Sequence, residues 1–386
     1  MPDTTLLNAV AGYAEAMADK HQLEQHGSDF SELRHAVGAT LAQLHPTRIA
    51  LTIADIIDET PSTRTLRLVP LAGELPPFQA GQYVNLYVDI DGVQTARPYA
   101  ISSSPSVRSH YDLTIKRARD GYVSHYLLDR VAVGQRLESS GPMGTFFHNP
   151  LFHGSELVFL AGGSGIVPAR SMILDMLDRH LPWRFQVIYG NSYADDVIFQ
   201  QELRELAAAH DNFTLTEIVS RPADGYTGLA GHLSAELIER LVGDVAGRMY
   251  YICGPTPFND NCLAQLAQLG VKRRRIRVEA NGAPKCPASL AQWPAHVRQD
   301  HEVTVTVHGK GSFRARAGEP LLNSLERNGY AAENACRSGE CSLCRVKLLS
   351  GEVFNPPEAK LRQSDRDFGW VHTCVAFPTQ DIEILL

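Results

Sequence analysis

A chain of 386 residues exceeds the size at which one hydrophobic core usually stops growing, so two or three domains are expected. Hydrophobic residues make up 44% and charged residues 20%, and no apolar run approaches the roughly 18 residues that a transmembrane helix needs, so membrane insertion is not expected. A net charge of -7 offers no basic footprint for nucleic acid, and the N-terminal stretch MPDTTLLNAVAGYAEAMADK lacks the basic leader and apolar core of an export signal, so a cytoplasmic protein is expected.

Residues 1–46 are rich in Ala, Leu, Glu and His. Apolar positions at Leu6, Leu7, Val10, Tyr13, Ala14 and Met17, then at Phe30, Leu33, Val37, Leu41 and Leu44, predict a helical extension of two amphipathic helices. His26-Gly27-Ser28 would break them, with Ser28 or Ser31 capping the second. No chemistry is legible there. From residue 47 to 150 the texture changes to short β-rich runs, TRTLRLV, QYVNLYVDI and YDLTIKRA, which predict an antiparallel β domain. From 151 to 280 apolar strands alternate with helical stretches, through LVFLAG, FQVIYG, FTLTEIVS and MYYICG, and predict a doubly wound parallel α/β sheet. The segment 281–301 carries prolines and no period and reads as a linker. A third domain, 302–386, follows with a hairpin (VTVTVHG, SFRARAG), a helix (PLLNSLERNG) and a cysteine loop.

Within the β domain, Arg97-Pro98-Tyr99-Ala100-Ile101-Ser102-Ser103 joins a cation, an aromatic ring and small hydroxyl residues. An Arg can neutralise a phosphate, and a Tyr can lie against a flat ring. The run resembles the R-x-Y-[ST]-x-x-S motif of the ferredoxin-NADP reductase superfamily, which implies an antiparallel β-barrel flavin domain. Gly121-Tyr122-Val123-Ser124 opens a predicted helix at Ser124 whose amide N–H groups suit a pyrophosphate. In the family this stretch binds one, and Gly141-Pro142-Met143-Gly144-Thr145-Phe146 matches the family's G-P-x-G-x-F segment. These two stretches are more similar to those of FAD binders than of FMN binders. One departure is Ala100, where the family usually has Ser or Thr to hydrogen-bond flavin N5; the resemblance then leaves Ser102 or backbone donors for that task.

Gly162-Gly163-Ser164-Gly165 ends an apolar strand, and Pro168 falls in the first turn of the helix after it, a phosphate-binding layout. Cys253-Gly254-Pro255 ends another strand at the same sheet edge, where ligands of doubly wound folds bind. It matches the family's C-G-P motif, which implies that Cys253 lies beside the nicotinamide and shapes the hydride-transfer pocket. Ser220-Arg221 can meet an adenosine ribose or its 2'-phosphate, whereas Asp195 and Asp196 would repel an extra phosphate. The segment lacks a dense basic cluster, which favours NADH over NADPH; Lys272 to Arg277 reads as a solvated face. The strand RIRVEAN departs from the family's Glu-x-Phe continuation, since Glu279 is followed by Ala280-Asn281-Gly282.

The seven cysteines are Cys253, Cys262, Cys286, Cys336, Cys341, Cys344 and Cys374, an odd number crowded at the C-terminal end rather than a disulfide framework. Cys262 fits a helix facing the core and Cys286 the linker. Cys336, Cys341 and Cys344 have the spacing C-x4-C-x2-C, and Cys374 follows after 29 further residues. Small residues Ser338, Gly339 and Ser342 let the loop curl and aim N–H groups at cluster sulfurs. That is the plant-type [2Fe-2S] spacing, found in clusters near about -400 mV. A structural zinc is the alternative, although closed zinc sites usually present paired C-x2-C knuckles. With His372-Thr373 ahead of Cys374, residues 302–386 resemble a plant-type ferredoxin, which implies an α+β β-grasp fold.

The order of flavin, nucleotide and C-terminal ferredoxin segments over 47–386 resembles the phthalate dioxygenase reductase and phenylacetyl-CoA epoxidase reductase group. The resemblance implies an NAD(P)H-dependent oxidoreductase using FAD and a [2Fe-2S] cluster, with an electron-accepting protein partner such as a Rieske or di-iron oxygenase. A reductase of a small acceptor such as a quinone, or a redox-sensing docking protein, are the alternative readings.

Overall fold

Long apolar alternation builds the first sheet. A computed structural model describes residues 12–26, 38, 40–42, 44 and 46–386, apart from 120, 280, 281 and 358. Helix α1 (Tyr13–His26) belongs to a unit separate from residues 48–386. The predicted break at Gly27-Ser28 and cap at Ser28 or Ser31 lie outside the described residues, as do Leu6, Leu7 and Val10. No helix among the described residues is long and apolar enough to cross a membrane.

Strands β1 (Ile49–Thr60), β2 (Thr63–Pro70), β3 (Tyr83–Ile90), β4 (Val93–Ala100), β5 (Tyr111–Lys116) and β6 (Arg136–Ser139) form an antiparallel sheet in the order β4-β3-β6-β1-β2-β5. Inward residues such as Leu51, Ile53, Leu66, Leu68, Val84 and Leu113 are fully buried, because period-two alternation turns one face of each strand to a shared core. The edge strands meet: Ile101 bridges Leu113, and Ser102 N–H donates to Asp112 O at 2.9 Å, so the sheet closes into a barrel. Helix α2 (Tyr122–Asp129) packs Val123, Leu127 and Leu128 into this core.

The second sheet holds β7 (Glu156–Gly162), β8 (Arg184–Asn191), β9 (Phe213–Val219), β10 (Leu229–Ala230), β11 (Met249–Cys253) and β12 (Ile276–Glu279), all parallel, in the order β10-β9-β8-β7-β11-β12. Helices α3 (Ile166–Asp178), α4 (Gln200–Ala209), α5 (Ala235–Val242) and α6 (Thr256–Gln268) supply the crossovers. Both faces of β7 and β11 are buried, as their unbroken apolar sequence demands. The strand order reverses between β7 and β11, which places a crevice at their C-terminal ends. Phe258 of α6 fits there against Gly162, Gly190 and Gly254; a Cβ on Gly254 would come within 2.5 Å of its ring. Cys262 is fully buried in α6, as expected; of the expected solvated face over 272–277, Lys272, Arg273 and Arg274 are exposed, whereas Ile276 is buried and half-buried Arg277 donates to Thr145 O of the barrel at 2.6 Å.

Between barrel and parallel sheet, His153 Nδ1 accepts from Asn149 N–H at 3.0 Å and faces the Tyr251 hydroxyl at 2.6 Å. Burial pushes this imidazole down to about 4 from the ordinary 6.5, with His148 and Arg277 adding repulsion. A base held neutral in this way stabilises the fold above the unfolded value, and the contribution is lost as pH falls from about 6.5 through 4. Allowing for solvent screening, unfolding free energy is expected to drop by about 1–2 kcal/mol over that window. Chemical denaturation at pH 7 and 4.5 should show the drop in the parent and a smaller one in His153→Gln.

The third sheet comprises β13 (Glu302–Val307), β14 (Gly311–Arg316), β15 (Arg345–Ser350), β17 (Trp370–His372) and β19 (Ile382–Leu385) in the order β14-β13-β19-β15-β17, with β16 (Val353–Phe354) and β18 (Phe377–Pro378) paired beside it. The hairpin β13-β14 and the parallel pairing of β13 with β19, packed on α7 (Leu321–Arg327), give the β-grasp. Helix α8 (Gln363–Asp367) precedes β17. The segment expected as a linker is not slack. Trp293 and Val297 are buried, and the Trp293 ring meets Phe354 and Phe377 edge-on at 5.1 and 6.2 Å. An apolar strap lies inside a stretch whose prolines had marked it as irregular.

Candidate electron-transfer site

Strand β4 carries Arg97, Pro98, Tyr99 and Ala100 to the rim of the barrel. Arg97 Nη1 donates to Thr95 Oγ1 and Ala96 O, each at 2.7 Å, and lies 3.8 Å from Glu326 Oε2 of α7. Burial first, then the nearby Arg337 guanidinium, push Arg97 down to about 10. Two guanidinium groups thus share one carboxylate, leaving positive charge that suits a phosphate. Burial raises the Tyr99 phenol above its usual range, while the residue keeps part of its surface accessible. Ala100 packs against the core of the nucleotide domain.

Ser102 is placed otherwise than expected. It is fully buried, its hydroxyl donates to Asp112 O at 3.0 Å and pairs with Thr114 Oγ1 at 3.0 Å. The hydroxyl is spent inside the barrel wall, so it does not substitute for the missing one at Ala100. Ile101 likewise turns into the core and presents only backbone. Helix α2 starts at Tyr122, two residues ahead of the expected start, with Gly121 as its N-cap. Ser124 Oγ accepts from Ala118 N–H at 3.2 Å, and Val123 is core, which leaves the backbone of this turn for an anion.

The nucleotide turn abuts the flavin strand. Arg170 of α3 donates to Ser102 O at 2.8 Å and pairs with Glu202, and Ser171 Oγ donates to Ser103 O at 2.8 Å. Gly163-Ser164-Gly165 forms a 3-10 turn leading into α3, and Pro168 is buried in that helix's first turn. A Cβ on Gly165 would stand 1.8 Å from Cys253 O and 2.9 Å from Gly254 N, so only glycine lets this turn close on the Cys253-Gly254-Pro255 loop. The two loops form one cradle for a phosphate-bearing ligand, with Cys253 buried at its floor.

Ser220 and Arg221 N–H groups donate to Asn191 O and Ser192 O at 2.8 and 3.0 Å, and Arg221 Nη1 donates to the Tyr193 hydroxyl at 3.2 Å. Asp195, two residues beyond Tyr193, is exposed. Asp196 does not face that edge. It accepts from Thr60 Oγ1, Ser62 Oγ and Lys116 Nζ of the barrel, at 2.5, 2.8 and 2.6 Å, and so joins the two domains instead of repelling a phosphate.

In the third domain the amide N–H groups of Ser338, Glu340 and Cys341 all point at Cys336 Sγ from 3.4 Å. The Cys341 and Cys374 thiols beside it hold Cys336 far below the usual thiol range, and Cys374 brings Cys344 down to about 7. None of the four is in a disulfide. Cys341 and Cys374 both neighbour Cys336, and Cys374 also neighbours Cys344, so the four thiols adjoin one another. Left-handed Arg337, Gly339 and Ser342 shape the loop, and a Cβ on Gly339 would meet Val375 at 2.8 Å. Fully buried His372 holds Gly339 O through Nδ1 at 3.0 Å, with its Nε2 unpartnered, and Thr373 Oγ1 donates to Cys344 O at 3.0 Å. A thiolate cage lined by amide donors fits a two-iron cluster.

Sequence reading missed Glu326, Thr95, Tyr83 and the environment of Glu279. Tyr83 stands between Gly144 and the cysteine loop, its phenol raised by burial and by Cys336 and Cys341. Burial, with Glu340 and Cys336 adding charge, pushes Glu279 up to about 8. Ala280 and Asn281, which follow it, lie outside the described residues.

This is a three-part redox architecture: a flavin barrel, a nucleotide-binding sheet and a [2Fe-2S] β-grasp. Three family models match in that order: an oxidoreductase FAD-binding domain over 51–148, an oxidoreductase NAD-binding domain over 159–263 and a 2Fe-2S iron-sulfur cluster binding domain over 305–379. The chain is 32% identical to the glycine betaine monooxygenase reductase subunit of Pseudomonas aeruginosa, covering 85% of this chain and 93% of that one. It is 30% identical to the 3-ketosteroid-9-alpha-monooxygenase ferredoxin reductase component of Mycobacterium tuberculosis, over 86% and 94% of the two chains. The phthalate dioxygenase reductase structure superposes with a TM-score of 0.67 at 20% identity, over 88% of this chain and 98% of that one. The chain belongs to this family of FAD- and [2Fe-2S]-dependent oxygenase reductase components within the ferredoxin-NADP reductase superfamily. It is an NAD(P)H-dependent oxidoreductase.

Proposed function

We propose that this chain takes electrons from NADH and passes them singly, through FAD and a [2Fe-2S] cluster, to an oxygenase partner of the Rieske or di-iron kind. The flavin, when bound, would supply hydride acceptance and one-electron release, and a two-iron cluster held by the four cysteines would supply a one-electron relay. What supports the reading is the position of β4, joined to the cysteine loop through Glu326 and followed by Ser102, whose carbonyl is held by Arg170 of the helix after the nucleotide turn.

In this reading Gly162, Gly163, Ser164, Gly165, Gly254 and Pro255 seat the nucleotide, and Cys253 fixes the nicotinamide without acting as a nucleophile. Arg97 and the backbone of Gly121 to Ser124 hold the flavin phosphates, and Tyr99 supports the ring. Cys336, Cys341, Cys344 and Cys374 ligate the cluster. Arg221, tied to Tyr193, meets the adenosine end, and the exposed Asp195 nearby favours NADH. The family names of the relatives above support an oxygenase as acceptor.

Anaerobic titration of the purified holoprotein tests this. NADH is expected to bleach the flavin band and raise a low-temperature rhombic EPR signal, with NADPH needing a higher concentration for the same bleaching. Flavin bleaching with iron present and no cluster signal would refute the internal relay.

A further inference from the structure

Glu326 belongs to none of the flavin, nucleotide or cysteine motifs, yet its side chain is only 9% exposed and both its oxygens are engaged. Oε1 accepts from Arg337, the residue after Cys336, and Oε2 accepts from Thr95 Oγ1 of β4 at 2.9 Å. Thr95 Oγ1 in turn accepts from Arg97 Nη1. Arg337 also donates to Asn334 Oδ1 and Asn323 Oδ1, both at 3.2 Å, which ties the cysteine loop and α7 into one piece around a single guanidinium. A second link runs from β3, where Asn85 Nδ2 donates to Asn334 O at 3.3 Å. The seam between the flavin strand and the cysteine loop is therefore closed by one carboxylate lying between two cations. Without that carboxylate, Arg97 and Arg337 would lose the anion they share at this seam and repel each other across it.

We propose that Glu326 is the positioning residue that docks the cysteine loop onto the flavin strand. Its consequence for rate rests on the electron-transfer reading above: NADH supplies an electron pair, and one electron at a time crosses the seam that Glu326 holds shut. Glu326 also lies 3.8 Å from Arg97, so flavin content is measured in each variant and rates are compared per bound flavin.

The test uses full-length holoprotein carrying Glu326→Gln, Glu326→Asp or Thr95→Val. Hydrogen exchange is followed in residues 93–98 and 332–344, with stopped-flow reduction by NADH alongside. Glu326→Gln is expected to raise exchange in both segments and to slow cluster reduction about tenfold or more, while flavin bleaching stays within about twofold. Glu326→Asp, which keeps the charge, should recover most of the protection, and Thr95→Val should move exchange in the same direction. Parent-like exchange in both segments of Glu326→Gln overturns the proposal. Should that variant fail to fold, Thr95→Val decides by the same readout. If the parent passes no electron to its cluster, the electron-transfer reading falls, and exchange still decides whether Glu326 docks the loop.

Discussion

Replacing Cys341 by Ser is expected to leave NADH-driven flavin bleaching within about twofold of the parent and to lower cytochrome c reduction by ~100-fold, a loss of ~2.7 kcal/mol in the transfer step. Cys341 is the exposed member of the four thiols, and its own N–H helps hold Cys336 Sγ. A hydroxyl in its place is a poor ligand for a soft iron-sulfur centre. The bonds that join the barrel to the parallel sheet run through Arg170, Ser171 and Asp196, away from the cysteine loop, so hydride delivery has no reason to change. Iron content measured beside the two rates separates a damaged cluster from one never assembled. Cytochrome c reduction at the parental rate would mean that one-electron export bypasses the cysteine loop.

Gly165→Ala is expected to lower NADH-driven flavin reduction by ~100-fold, with dithionite reduction of flavin and cluster retained. The added Cβ would fall 1.8 Å from Cys253 O and 2.4 Å from Cys253 C, and backbone lies on both sides of the contact. No rotamer relieves such a clash, so the cradle must open. Gly163→Ala is the control. Its Cβ meets nothing within 4 Å, and its φ of +54° costs only about 1–2 kcal/mol for a residue with a side chain. Parental NADH kinetics in Gly165→Ala would remove the cradle from between these loops.

The parts of the site that could be read in advance share a property: each is a local pattern whose chemistry is complete within a few residues. The C-x4-C-x2-C loop, the strand-turn-helix at Gly162 to Pro168 and the strands of the barrel are of this kind. What could not be read depends on pairings across long stretches of chain. Thr95 meets Glu326 across 231 positions and Lys116 meets Asp196 across 80, and neither pair has a sequence signal, since an isolated Thr or Asp is usually solvated. Ser102 misled for a related reason. Its place in the R-x-Y motif suggested a ligand contact, but closing the barrel between Ile101 and Leu113 turned its hydroxyl inward. The segment 281–301 read as a linker because it carries prolines and no period, yet one buried Trp supplies enough apolar area to pin it.

That pin limits reach. Trp293, Leu290 and Ala283 all pack on the core of the third domain, and Ala283 follows the end of β12 at Glu279 by four residue steps. Four residue steps extend at most about 14 Å. A carrier on so short a leash cannot shuttle between donor and acceptor as a swinging arm does. The cysteine loop is a fixed terminal, with Cys341 at its exposed edge.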